Sequence, residues 1–401
     1  MISEDKLSYL LNSTKRILAH QRELKKQRGE TFNVFSILKM ERRENSTHSA
    51  FLAELLNPKG SHYKEDAFLK LFLQVIETDN LETKKVKVKP EHHVGLKDNK
   101  SKTGGRIDIY IWDEAGNSIS IENKIDAGDQ HAQIERYCNH NKERNKVYYL
   151  TLNGAEPSAG SRGGLEAGKD FFLISYRKHI IEWLDLCIKE AAEVPILRES
   201  IKQYKLLIQN ITATMQGKDQ QELTDLMIKY FKESEYVAAN FIRVSTAIKE
   251  RLRQSVLKKL KERLGDHHTI VSGHPAEKFY SQIWIKIKGM EEEPIFFGLE
   301  SFSGNGQGHF GGALFIGTIN LLDGENEYTR NNKFYKHRWY NAYVLNEYEH
   351  YEANLKHGDL LQKLNSDNSF RDKFENHIVE EVEQYLIKET EKVKDFLISI
   401  R

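Results

Sequence analysis

Gly105-Arg106-Ile107-Asp108-Ile109-Tyr110-Ile111-Trp112, then Asp113-Glu114-Ala115-Gly116-Asn117, then Ser118-Ile119-Ser120-Ile121-Glu122-Asn123-Lys124 is the stretch that decides how this chain is read. Apolar residues alternate on both sides of a cluster of turn formers, which is the pattern of a β-hairpin. A turn centred on Ala115 sets Asp108 opposite Glu122, Tyr110 opposite Ser120 and Trp112 opposite Ser118. The two-residue period then gives one aliphatic face, holding Ile107, Ile109, Ile111, Ile119 and Ile121, and puts Glu122 and Lys124 on the other.

Two carboxylates facing each other across a sheet repel, at a cost of about 0.2–1 kcal/mol that grows with desolvation. A divalent cation relieves this, because Mg²⁺ (or Mn²⁺) takes hard oxygen ligands from one or two carboxylates and keeps water for chemistry. Asp108 and Glu122 are the expected ligands, and the Asn123 carbonyl is a further candidate. Lys124 is placed to position or deprotonate an attacking water, or to neutralise charge building on a phosphoryl group. The alternative is a solvent-facing hairpin in which Glu122 and Lys124 are merely ion-paired.

Outward from the hairpin, Leu7 to Arg28 carries helical periodicity and stops at Gly29. Asn45 and Ser46 are candidate N-caps for a helix bearing Phe51, Leu52, Leu55 and Leu56, which Asn57-Pro58-Lys59-Gly60 ends. A helix is expected over Lys64 to Glu77 and another over Asp129 to Asn141. Strands are expected at Lys85 to Lys89, Lys146 to Leu152 and Phe171 to Ser175, and helices up to about Thr214. This is an α/β arrangement. The polar stretch Met215-Gln216-Gly217-Lys218-Asp219 marks a domain boundary, giving a first domain over 1–214 and a second over 220–401. The second reads as α+β: helices to Leu264, strand-like runs at Gln282 to Ile287, Pro294 to Leu299, Ala313 to Ile319 and Trp339 to Leu345, and a closing helix from Phe370 to Ile400.

With 401 residues, 60 Lys+Arg against 59 Asp+Glu and a formal charge of +1, nothing in the overall balance demands a polyanion or a membrane surface. Any basic site is local. The two cysteines, Cys138 and Cys187, make no C-x-x-C pair, so a reducing, cytoplasmic compartment is expected and a structural zinc is not. Met1 to Lys6 lacks a basic region leading into an apolar run, and no stretch has the length to span a bilayer.

Two further features bear on the hairpin. On a regular helix Glu44 lines up with His48, Phe51 and Leu55, which puts an acid on a core-facing stripe; the alternative is that it complements the helix dipole. Gln133 and Tyr137 stand at i and i+4, on one helix face that can point back at the same site.

These segments resemble the PD-(D/E)XK nuclease superfamily, and particularly a bacterial branch of it. Glu44-Asn45-Ser46-Thr47-His48-Ser49 with Phe51 to Pro58 is similar to that branch's opening helix. Gly105 to Asp108 and Ile121 to Ile125 are similar to its core motifs, and Gln133-Ile134-Glu135-Arg136-Tyr137 to a Q-x-x-x-Y element. The resemblance spans about Asn45 to Thr214. It implies a restriction-endonuclease-like core, a central mixed sheet flanked by helices, and metal-dependent cleavage of DNA in defence against foreign DNA or in repair. In that reading Asp108 and Glu122 hold metal, Lys124 is the catalytic lysine, Glu44 is an accessory acid ligand, and Gln133 and Tyr137 lie near substrate or metal. A nuclease-like fold that binds nucleic acid without turnover is the alternative.

For a polyanion, Lys84, Lys85, Lys87, Lys89, Lys97, Lys100, Lys102 and Arg106 crowd the approach to the hairpin, and Arg22, Lys25, Lys26, Arg28, Arg42 and Arg43 crowd the N-terminal region. Such contacts are sequence-independent; lysines alternating with Val86 and Val88 also describe a protected edge strand. The second domain is expected to select substrate, bind partners or form a homo-oligomer. Gly304, Gly306, Gly308, Gly311 and Gly312 precede no Gly-Lys-Ser/Thr and read as a connection. The pairs His92-His93 and His267-His268 lack zinc spacing. Ser49 lacks a nucleophile elbow. Trp183, Trp284 and Trp339 are expected in the core.

Overall fold

A computed structural model describes residues 3–98, 100–215, 218–305, 310–322, 326–328 and 339–400. Gln216, Gly217, Gly306 and Gly308, singled out above, lie outside the described residues. The chain divides into two compact units, Met1–Glu233 and Ser234–Arg401.

The first unit opens with α1 (Glu4–Gln27), which ends where Gly29 takes a left-handed φ of 68°, and the short α2 (Val34–Ile37). A wide π turn, Glu44–Ser49, runs into α3 (Ala50–Leu56), followed by α4 (Ala67–Val75). Five strands follow: β1 (Lys87–His93), β2 (Arg106–Trp112), β3 (Ser118–Lys124), β4 (Asn145–Thr151) and β5 (Phe172–Ser175). Helix α5 (Gln133–Asn139) lies between β3 and β4, and α6 (Ala159–Arg162) between β4 and β5. Helices α7 (Ile181–Glu190), α8 (Pro195–Ile211) and α9 (Lys218–Lys229) complete the unit. The strands form one mixed sheet in the order β1-β2-β3-β4-β5, antiparallel across β1-β2-β3 and parallel across β3-β4-β5.

One sheet face is closed by α3, α4, α7 and α8, whose Leu52, Phe68, Phe72, Trp183 and Leu207 pack against Ile109, Ile111, Ile119 and Ile121. Full burial of each isoleucine stabilises by roughly 1.5–3 kcal/mol. Trp183 also donates its indole N–H to the Phe68 carbonyl at 2.8 Å. On the opposite face α5 contributes Ile134 and Tyr137 to a smaller cluster with Tyr110, Val147 and Tyr149.

Several boundaries move for local reasons. The first strand begins later than expected, because Thr83–Lys85 make a 3₁₀ turn, and continues through Pro90 to His93. The helix expected from Asp129 starts only at Gln133, where buried Ala132 takes a left-handed φ of 52°. Ile107 does not share a face with Ile109 and Ile111 but joins the smaller cluster. Glu91 has a φ of 54°, and its register partner Asp108 is skipped between the pairs Pro90↔Ile109 and His92↔Ile107. Both strands switch face there, and His92 stacks on Tyr110 with ring centroids 4.8 Å apart.

The division between units falls after α9 and not at 215–219. Helix α9 packs on α1 through Arg16–Glu222 (2.6 Å) and His20–Asp219 (3.2 Å), which assigns it to the first unit.

The second unit contains most of α10 (Phe231–Leu264), then β6 (His268–Val271), β7 (Gln282–Ile287), β8 (Ile295–Glu300), β9 (Phe315–Asn320) and β10 (Trp339–Val344), and finally α11 (Gly358–Ser366) and α12 (Asn368–Ser399). Its sheet is antiparallel throughout, in the order β10-β9-β8-β7-β6. Leu252, Val256 and Leu260 of α10 and Phe374, Ile378 and Val382 of α12 cover one face. Trp339 and the half-buried Trp284 sit with Phe296 and Phe315 in a separate aromatic cluster. Strand β6 and helix α11 are too short to stand out from periodicity. Among the described residues no helix is long and apolar enough to cross a membrane.

Candidate active site

The hairpin register is the one the turn implies, with Ile109↔Ile121, Tyr110↔Ser120, Ile111↔Ile119 and Trp112↔Ser118 paired. It brings Asp108 and Glu122 together at the end of the sheet remote from the turn. Asp108, 9% exposed, accepts a hydrogen bond from the Asn123 N–H on Oδ2 at 2.8 Å. Burial, and then the charge of Glu122, push its carboxyl well above the usual range.

Glu122 is 1% exposed, and its two oxygens differ sharply. Oε1 receives the Lys124 ammonium at 2.6 Å and the Gln133 amide at 2.6 Å. Oε2 is buried and has no hydrogen-bond partner. Burial raises the Glu122 carboxyl, with Lys124 opposing. For Lys124, burial acts to lower the ammonium, but the charge and hydrogen bond of Glu122, with Asp108 and Glu44 behind them, outweigh it and raise it, so the side chain is held protonated.

Gln133 and Tyr137, one turn apart on α5, both face this acid. The Gln133 amide also reaches the Tyr137 hydroxyl at 3.4 Å, and Tyr137 donates to the Arg106 carbonyl at 2.6 Å. Asn123 lies on the opposite face of β3. Its side chain accepts from Tyr176 and donates to Ser49, so only its main chain is left to serve the acids.

Glu44 arrives from the π turn. The helix begins at Glu44 itself, after Arg43, so Asn45 and Ser46 lie inside it and are not its N-caps. The i→i+5 turn also breaks the expected stripe. His48 points into the core, bonded to Glu41 O and the Tyr204 hydroxyl, while Glu44 turns toward the loop after β3. There Glu44 Oε1 accepts three main-chain N–H groups, from Ile125, Asp126 and Ala127, at 2.7 to 2.9 Å. Its charge is felt at both Glu122 and Lys124.

Glu91 was not foreseen. It stands opposite Asp108 in the β1/β2 register, raises the Asp108 carboxyl further, and has one oxygen, Oε1, buried without a hydrogen-bond partner. The signal in the sequence was the pairing of Lys87 to His93 with the hairpin; ending the strand at Lys89, before Pro90, concealed it.

The basic residues near the hairpin are dispersed. Arg106 is ion-paired to Glu91 at 2.7 Å and Lys102 to Glu135. Lys87 and Lys89 are exposed, but Lys87 pairs with Trp112, four residues along the strand from Glu91 and so about 13 Å from the acids.

Residues 32–206 match the family model of the PD-(D/E)XK nuclease superfamily. This segment is similar to the PD-(D/E)XK nuclease superfamily. No curated protein and no solved structure matches the chain. The matched segment spans Glu44, Asp108, Glu122, Lys124, Gln133 and Tyr137, and its five-stranded mixed sheet flanked by helices agrees with the superfamily's fold. Nucleases of this superfamily typically use divalent metal ions and act on nucleic acid.

The donors here suit such an ion. A fully buried carboxylate oxygen without a partner, Glu122 Oε2, sits beside a second acid whose ionisation burial and repulsion disfavour, and both are hard oxygen ligands. Among the described residues, no three His, Cys, Asp or Glu side chains are already gathered in a group that could hold a metal ion.

Proposed function

We propose that the nuclease domain hydrolyses phosphodiester bonds in DNA with the aid of Mg²⁺ or Mn²⁺. The observation that carries this reading is the asymmetric Glu122 carboxylate: one oxygen is fixed by Lys124 and Gln133, the other is buried and unpartnered, and the charge of the group is felt at Asp108. Glu122 and Asp108 would hold the cation, with the Asn123 carbonyl as a further donor and Glu44 as the accessory acid. When bound, the cation polarises a phosphoryl oxygen and makes a bound water more acidic.

The protein's own groups account for the rest. Lys124, kept protonated by Glu122, orients the attacking water and offsets negative charge developing on the phosphoryl oxygens. Gln133 fixes the rotation of the Glu122 carboxylate. Tyr137 ties α5 to β2 at the Arg106 carbonyl, two residues from Asp108. Lys102 and Arg106 supply backbone contacts once they exchange Glu135 and Glu91 for phosphates; Lys87 and Lys89 extend the basic surface along β1. The second unit is assigned to substrate selection, partner binding or homo-oligomer formation, and the cytoplasm is the compartment that suits the two free thiols. Defence against foreign DNA and DNA repair are both compatible roles.

The test is cleavage of supercoiled, linear duplex and single-stranded DNA with Mg²⁺, Mn²⁺ or EDTA, comparing the wild-type chain with Lys124→Ala and Asp108→Ala. Metal-dependent cutting absent from both variants supports the assignment. DNA binding without cutting, under every metal condition, replaces it with a nuclease-like binding module.

A further inference from the structure

The basic end of α1 has no part in the cleavage site, yet it is not simply a solvated helix tail. Together with α8 and the start of α9 it walls a cavity of about 480 Å³ within the first unit, in the size range of small-ligand sites. Five cations, Lys25, Arg28, Lys202, Lys205 and Lys218, line it against two acids, Glu30 and Asp219.

On α8 the lining residues Lys202, Lys205, Leu206 and Gln209 recur at helical spacing and form one stripe, while Tyr204, Leu207 and Ile208 on the other side belong to the core beneath the sheet. The cavity is therefore separated by the thickness of α8 from the π turn that carries Glu44, where Tyr204 meets His48.

Neutralisation of these cations is incomplete. Lys205 is paired with Asp185 at 2.5 Å, His20 with Asp219 at 3.2 Å and Arg28 with Glu30 at 3.9 Å, but Lys202 has only an exposed partner at 3.7 Å, and Lys25 bonds to the uncharged Asn210 amide at 2.9 Å. Gln209 adds an independent sign. Its side chain is more than nine-tenths buried, and its Nε2 has no acceptor. A buried amide without a partner is unfavourable, and an anion in the cavity would satisfy it once the side chain turns Nε2 toward the cavity.

We propose that this cavity binds a small phosphate-bearing anion of nucleotide size. Lys25, Lys218 and the Gln209 amide take the phosphate oxygens, and Leu24, Leu206 and Met215 offer an apolar surface for the remainder of the ligand. This inference does not rest on the cleavage reading.

The experiment is titration calorimetry of the full chain in EDTA with ATP, pyrophosphate and inorganic phosphate, with circular dichroism to verify that each variant folds. ATP or pyrophosphate is expected to bind more tightly than phosphate. The double variant Lys25→Ala/Lys218→Ala is expected to weaken binding at least tenfold, Gln209→Leu to weaken it as well, and Lys124→Ala to leave it unchanged. Four results would overturn the proposal: no heat from any probe, wild-type affinity in both the lysine pair and Gln209→Leu, equal loss in Lys124→Ala, or displacement of ATP by duplex DNA at matched phosphate concentration.

Discussion

His48 gives the most direct handle on how the site is built. It is fully buried under the π turn, with Nε2–H donated to the Glu41 carbonyl and Nδ1 accepting from the Tyr204 hydroxyl. Burial is the main cause that lowers its pKa from 6.5 to about 4. A histidine whose folded-state pKa is depressed adds nothing to pH dependence above pH 6.5. Below that value the unfolded chain takes up a proton that the folded chain refuses, and stability falls until the folded pKa is reached. With about 1.36 kcal/mol per pKa unit, the loss is about 2 kcal/mol at pH 5 and approaches 3 kcal/mol near pH 4. The assay is urea denaturation of wild type and His48→Gln at pH 7 and pH 5. The variant loses some stability at both pH values through altered hydrogen bonding, but it should lack the extra acid-dependent loss, so the gap between the two proteins narrows by about 2 kcal/mol on acidification. Parallel loss of stability in the two proteins from pH 7 to pH 5 would refute a buried, neutral His48.

Other expectations can be checked separately. Gln133→Leu removes the amide that orients Glu122, and should lower Mg²⁺ affinity or cleavage rate by roughly 10–100-fold, read from a metal titration of DNA cleavage. Glu44→Gln keeps an oxygen for the Ile125, Asp126 and Ala127 N–H groups and should unfold near the wild-type urea midpoint, whereas Glu44→Ala strands those donors and should cost about 1–3 kcal/mol. Trp183→Ala empties the centre of the larger core and abandons the Phe68 carbonyl, so denaturation should show a loss of about 3–5 kcal/mol.

The hairpin was legible from the chain alone because two local codes agree there. Alternating isoleucines select strands, and a turn centred on Ala115 sets a register that puts Asp108 opposite Glu122 with Lys124 two residues on. The individual strands and helices and the i, i+4 pair Gln133 and Tyr137 follow from similar short-range patterns, whereas the mixed sheet was implied by the family resemblance. What periodicity cannot express is a departure from periodicity. The left-handed backbone at Glu91 turns Ile107 away from Ile109 and brings a third acid to Asp108, and the π turn sends Glu44 and His48 in different directions. Both are set by partners distant in sequence: β2 across from Glu91, Tyr204 of α8 for His48, and the N–H groups after β3 for Glu44. The cavity on α1 likewise draws its cations from residues 25 to 218, and the unpaired oxygen of Glu122 exists only because packing excludes water from it. Local sequence sets which residues share a strand or a helix face; burial, and the partners it leaves wanting, arise only when distant segments close over one another.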